Sequence, residues 1–124
     1  MSDMPAGARA VLTVLEGRSK GAQLVLTDRP SYVIGRSEGC DLQIGDRSVS
    51  REHSRIEFDG QYFWLVDCAS ANGTRVNEEP VRHYMLHEGD VIRTGRVSMV
   101  FRRARGSGGS ASTKDIPERP REPL

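Results

Sequence analysis

What most constrains this chain is its punctuation. Between residues 8 and 103, short runs rich in Val, Leu and Ile are cut by turn signals at spacings of about ten residues, and no stretch carries a helical period. The runs are Ala10 to Leu15, Ala22 to Leu26, Tyr32 to Ile34 ending at Gly35, Leu42 to Ile44, Ser54 to Phe58, Gln61 to Asp67, Thr74 to Val76, Arg82 to Leu86, Val91 to Thr94 and Val97 to Arg102. Asp59-Gly60 reads as the centre of a type I′ hairpin, and Gly95-Arg96 as a Gly-first two-residue loop. Trp64, in mid-strand, is expected in the core. Such a pattern predicts an all-β fold, an antiparallel sandwich or barrel.

Length and charge narrow the function. A chain of 124 residues suits one domain with tails. A net charge of +1 gives no broad field for a nucleic-acid backbone or an anionic membrane, so anion binding must be local. No apolar run approaches the roughly eighteen residues of a membrane helix. The first seven residues lack the cationic flank and apolar stretch of a signal peptide, so a cytoplasmic setting is expected. Cys40 and Cys68 match no metal spacing and read as small, half-buried thiols.

Composition also divides the chain. Residues 1–7 are expected to be disordered, residues 8–105 to form the domain, and residues 106–124, rich in Gly and Ser and then in Pro and charge, to be a flexible tail or a linker to a further domain. Thr113, with Ile116 three positions on, is a possible phosphorylation site in that tail.

The polar residues that stand out lie between strands. Gly35-Arg36 closes one run, Ser50-Arg51 and His53 precede another, and Ser70, Asn72-Gly73-Thr74 and Asn77 follow Asp67. Arg36 offers a planar fork for two phosphate oxygens, which Lys cannot copy. Ser50 supplies a hydroxyl, Arg51 further charge, and Asn72 a carboxamide that both donates and accepts. These side chains meet only if their loops gather at one end of a sandwich. An enzyme reading of Ser50, His53 and Asp67 fails, because Ser50 and His53 sit too close in sequence and no oxyanion motif accompanies them. No metal or cofactor is expected.

Taken in this order and spacing, the set resembles the forkhead-associated domain family over about residues 8–103. The resemblance implies an eleven-stranded antiparallel β-sandwich with its ligand loops at one end, binding phosphothreonine peptides. It implies that Arg36 and Ser50 contact phosphate, that Arg51 lines the pocket, and that Asn72 holds the peptide backbone. Gly35, His53, Gly73, Thr74 and Asn77 would shape the loops. Many members carry Thr or Ser where this chain has Ala71, and Ser70 is the candidate to replace that hydroxyl. In the family a preference often falls on the third residue after the phosphothreonine; Arg47, beside the loop, reads as a solvated surface cation, the alternative being a group that favours an acid there. The implied partners are threonine-phosphorylated proteins downstream of a Ser/Thr kinase, with neither nucleic acid nor membrane involved. The alternative is a phospho-independent scaffold on the same fold.

Overall fold

The computed structural model describes residue 4 and residues 7–104. The tail with Thr113 lies outside the described residues. Eleven strands form two sheets among them. One sheet has six strands: β1 (Ala10–Val14), β2 (Gln23–Leu26), β7 (Thr74–Val76), β8 (Glu79–Val81), β10 (Val91–Thr94) and β11 (Val97–Arg103), in the order β2-β1-β11-β10-β7-β8. The other has five: β3 (Ser31–Gly35), β4 (Leu42–Gln43), β5 (Ser54–Phe58), β6 (Phe63–Asp67) and β9 (His83–Met85), in the order β4-β3-β5-β6-β9.

Alternation builds the core between them. Ala10, Leu12 and Val14 of β1 meet Leu24 and Leu26 of β2, Met99 and Phe101 of β11, and Ile34, Ile56, Phe63 and Leu65 from the facing sheet. Period-2 patterning thus buries one face of each layer. The first and last strands are antiparallel neighbours, with Ala10 opposite Arg103.

Four local readings change. The sheets are antiparallel except at β3 and β4, where Ile34 pairs with Leu42 and Gly35 with Gln43 in parallel. Asp59-Gly60 is not a two-residue turn: Phe58 pairs with Phe63 across four residues, and only Gly60 has positive φ (99°). The Asp59 carboxylate accepts the N–H groups of Gln61 and Tyr62, at 2.8 and 2.7 Å, and so builds its own turn. A two-residue turn with both φ positive occurs instead at Asn77 (50°) and Glu78 (75°), between β7 and the additional strand β8. Trp64 is half-buried on an outer face, because Phe63 and Leu65 take the inward positions. Its ring lies 4.9 Å from that of His83, and its Nε1–H donates to Asp59. The Gly95-Arg96 loop is as read, joining Thr94 to Val97 with Gly95 at φ 62°.

Thr94 is fully buried, and its hydroxyl has no hydrogen-bond partner among the described residues. An unsatisfied buried hydroxyl costs roughly 1–3 kcal/mol. Thr94→Val, of matching shape, is expected to stabilise the domain by about 1 kcal/mol, or about 4–8 °C in Tm. Thermal unfolding followed by circular dichroism checks this.

Candidate functional site

Three loops converge at the end of the sandwich where β3 and β6 stop and β5 and β7 begin. The β3–β4 loop carries Arg36, the β4–β5 loop carries Ser48 to Arg51, and the β6–β7 loop carries Ser70 to Gly73. Direct bonds tie them together. Arg36 N–H donates to the Ser50 carbonyl (3.0 Å), the Ala71 N–H to Ser50 Oγ (3.0 Å), and Asn72 Nδ2 to the Ser48 carbonyl (2.8 Å). Arg36, Ser50 and Asn72 are therefore neighbours, although up to 36 residues separate them in the chain.

Each of the three keeps one group free for a ligand. Arg36 is exposed, and its Nε–H donates to the Val49 carbonyl at 2.9 Å, which restrains the guanidinium while neither terminal nitrogen has a hydrogen-bond partner among the described residues. Ser50 Oγ accepts a backbone N–H, so its own proton is available to donate. The Asn72 amide commits its nitrogen to Ser48 and leaves its oxygen open. Arg51 is exposed beside them, and its carbonyl accepts the Ser37 N–H (3.1 Å) and the Cys40 thiol (3.2 Å).

His53, with 0% exposure, joins two of the loops from beneath. Its Nδ1 accepts the Ser50 N–H at 3.0 Å, and its Nε2 lies 2.8 Å from the Gly73 carbonyl. A carbonyl can only accept, so Nε2 carries the proton and the ring is neutral. Both nitrogens being engaged in this way, His53 is not placed to take a proton from the Ser50 hydroxyl.

The third loop is braced by Asp67, which the sequence placed at its head without a role. Its carboxylate accepts the hydroxyls of Ser70 and Thr74, both at 2.6 Å, and the Ser70 N–H at 3.1 Å. Ser70 Oγ in turn accepts the Gly73 N–H at 3.0 Å, so this hydroxyl is occupied within the loop. Burial pushes the Asp67 pKa up, but the hydrogen bonds from Ser70 and Thr74 outweigh it and hold the carboxyl below the usual range. Depression of this kind contributes stability that is full above the unfolded-state value, near ~3.9, and is lost as the pH falls through the lowered one. In an acid titration the Ser70 and Gly73 amide resonances are expected to move with a midpoint below that of an ordinary aspartate.

Asp46 and Ser48 were also missed. Asp46 Oδ1 accepts the Ser48 hydroxyl (2.7 Å) and N–H (2.8 Å), while Ser48 Oγ accepts the Arg96 N–H at 3.0 Å. The Asp-x-Ser spacing was the available signal, since it favours a side-chain turn. Asn77 lies at the opposite end of β7, where it bonds Asp90 and the Val91 backbone and contributes nothing to the loop cluster. Cys40 and Cys68 are half-buried free thiols, and burial raises the pKa of each. Among the described residues no group of three or more His, Cys, Asp or Glu is placed to hold a metal, and no helix is long and apolar enough to cross a membrane.

A family model described as FHA domain matches residues 32–95, just over half of the 124 residues and spanning all three loops. The chain belongs to the FHA domain family. This FHA domain is 38% identical over 98 residues to the glycogen accumulation regulator GarA of Mycolicibacterium smegmatis, covering 79% of this chain and 61% of GarA. It is 38% identical over 99 residues to an oxoglutarate dehydrogenase inhibitor of Corynebacterium efficiens, covering 80% of this chain and 68% of that protein. An FHA domain solved in a study of phosphothreonine-dependent FHA domain interactions superposes with a TM-score of 0.69 at 36% identity, covering 77% of this chain and 97% of that one.

Proposed function

We propose that this FHA domain binds threonine-phosphorylated peptides and acts as a recognition module, not an enzyme, in Ser/Thr-kinase signalling. The observation that carries the reading is the arrangement of unused groups: two Arg36 nitrogens, the Ser50 hydroxyl proton and the Asn72 carbonyl oxygen, all on loops locked to one another. The first two suit the oxygens of a phosphate, which carries about −1.5 to −2 charges at neutral pH. The Asn72 oxygen suits a peptide N–H beside it. Arg51 adds charge at the rim. Gly35, His53, Gly73 and Thr74 hold the loops, and Ser70 joins them in that role because its hydroxyl is engaged with Asp67 and Gly73.

Magnitudes set the character of the binding. Three charge-assisted bonds at roughly 1.5–3 kcal/mol each give about 4.5–9 kcal/mol gross, against an association cost of about 4–15 kcal/mol. Backbone contacts and a neighbouring side chain must add to the phosphate. The relatives support the reading by their names as regulators and inhibitors and by the phosphothreonine dependence stated for a similar domain. As the chain spans 61% of the length of GarA, a further segment or domain in the whole protein is part of this proposal. So is a cytoplasmic setting.

Calorimetric titration with a phosphothreonine peptide library, beside unphosphorylated and phosphoserine controls, tests it. Binding by phosphothreonine peptides alone is the expected result. Equal affinity for the unphosphorylated set would assign the domain to phospho-independent assembly instead.

A further inference from the structure

A hollow of about 420 Å³ lies against Trp64 on the outer side of the five-stranded sheet, beside the β5–β6 loop. Trp64, Phe58, Pro30 and His83 give it apolar and aromatic walls, and Glu57 and Asp59 supply two carboxylates. We propose that this hollow binds a proline-spaced segment flanked by arginines, and that its occupant is residues 117–123 of the same chain, folded back onto the body. It lies where β5 ends and β6 begins, at the opposite end of the strands from Arg36 and Ser50, and so stands apart from the phosphopeptide reading.

The walls suit a rigid apolar partner that also carries cations. Trp64 Nε1–H donates to Asp59 Oδ2 at 2.8 Å and the indole lies 4.9 Å from the His83 ring, so a half-buried aromatic surface is held in place. Glu57 commits one carboxylate oxygen to Arg55, at 3.1 and 2.8 Å, while its other oxygen has no hydrogen-bond partner among the described residues. Aromatic-lined grooves take polyproline II segments, which arrive already extended and lose little entropy on docking. Guanidinium groups are drawn both to carboxylates and to ring faces.

The chain carries such a segment. In Pro117-Glu118-Arg119-Pro120-Arg121-Glu122-Pro123 proline recurs at every third position. A polyproline II helix turns once in three residues, so Pro117, Pro120 and Pro123 would share one edge. Each flank of that edge then holds one cation and one acid, Arg121 with Glu118 on one side and Arg119 with Glu122 on the other. Glu57 and Asp59 are complementary to the arginines, and the Arg9 guanidinium, 5.1 Å over the Phe58 ring, is a cation beside the same wall for one of the glutamates.

The point of attachment brings the two together. At the end of β11 the Arg103 guanidinium donates to the Gln61 carbonyl at 3.2 Å, and the Gln61 N–H donates to Asp59 Oδ1 at 2.8 Å, so a single residue separates the last strand from the wall of the hollow. Twelve residues, 105–116, lie between that strand and Pro117, among them the run Gly106-Ser107-Gly108-Gly109-Ser110. A Gly/Ser-rich spacer of this length spans about 17–21 Å root-mean-square, enough to round a sandwich whose sheets lie about 10 Å apart. Such a linkage supplies an effective concentration in the millimolar range, which closes even a weak contact.

Trp64 is the only tryptophan in the chain, so its fluorescence and its indole N–H resonance report the hollow directly. The full chain is compared with two variants, Pro117→Ala with Pro120→Ala and Pro123→Ala, and Arg119→Glu with Arg121→Glu. The wild type is expected to show nuclear Overhauser contacts from the Pro120 ring to the Trp64 ring, and restricted quenching of Trp64 by acrylamide. Both variants should lose the contacts and gain quenching, while the Ala71 and Gly73 amide resonances stay in place. A synthetic peptide of residues 113–124 should then shift the Trp64 indole resonance of the proline variant and leave that of the wild type, whose hollow is filled. Contacts that vanish on dilution from millimolar to micromolar protein would give the hollow to the tail of a second copy, and binding of the peptide to the wild type would give it to segments of other proteins; either result overturns the same-chain assignment. Identical Trp64 quenching and resonances in the wild type and both variants, with no response to the peptide, overturns the site itself.

Discussion

Arg36→Ala is expected to lower affinity for a phosphothreonine peptide at least about 100-fold while the domain stays folded. Two charge-assisted bonds at roughly 1.5–3 kcal/mol each are removed, and about 1.4 kcal/mol corresponds to a factor of ten. The side chain is exposed, and its single internal bond, to the Val49 carbonyl, leaves that acceptor open to water when lost. Arg36→Lys is expected to be nearly as damaging, because an ammonium lacks the Nε that orients the group and the fork that spans two oxygens. Calorimetry gives the affinities, and unchanged thermal unfolding excludes a trivial cause. Wild-type affinity in the alanine variant would contradict the proposed role.

A larger structural effect is expected from Gly35→Ala. A Cβ at this position would overlap the Arg51 carbonyl oxygen and carbon, and would press on the Cys40 thiol. Backbone cannot yield as a flexible side chain does. Overpacking commonly costs about 1–3 kcal/mol and sometimes more; here about 3 kcal/mol or more is expected, lowering Tm by more than about 10 °C. The displaced carbonyl also serves the Ser37 N–H and the Cys40 thiol, so the Ser50-Arg51 segment moves with it. Peptide affinity should therefore fall even at temperatures where the variant remains folded. Thermal unfolding together with the Ala71 amide resonance, which reports the Ser50 Oγ bond, would show both effects.

The two substitutions mark how far sequence reasoning reaches. Ten of the eleven strands were visible because period-2 burial writes itself into residue type, though not their order in the sheets, and Arg36, Ser50 and Asn72 stood out because their chemistry is unusual between strands. Turn geometry was harder. Asp59-Gly60 carries the signature of a two-residue turn, yet the Asp59 carboxylate gathers two downstream N–H groups and lengthens the loop to four residues. Asn77-Glu78, with a glutamate at positive φ, takes the tight turn because Asn77 is bonded to Asp90 and Val91, partners 13 and 14 residues away. Trp64 was misplaced for a related reason: residue size argues for burial, but neighbouring Phe63 and Leu65 had already settled which side of β6 faces inward. The bracing by Asp67 and Asp46 was hidden because aspartates near turns are common, and only contacts distinguish one that holds a loop.

The pairing of Ala10 with Arg103 has a consequence for how such a unit is used. The Gly95-Arg96 turn that opens β11 touches Ser48 and Gly73, so the seven residues of that strand lead away from the peptide mouth by about 20 Å. The outer ends of the first and last strands thus share one pole of the body, and the proposed recognition site lies at the other. Polypeptide joined at Ala10 or at Arg103 is therefore attached at the pole remote from the proposed opening, so fusion at either end is expected to leave peptide affinity unchanged.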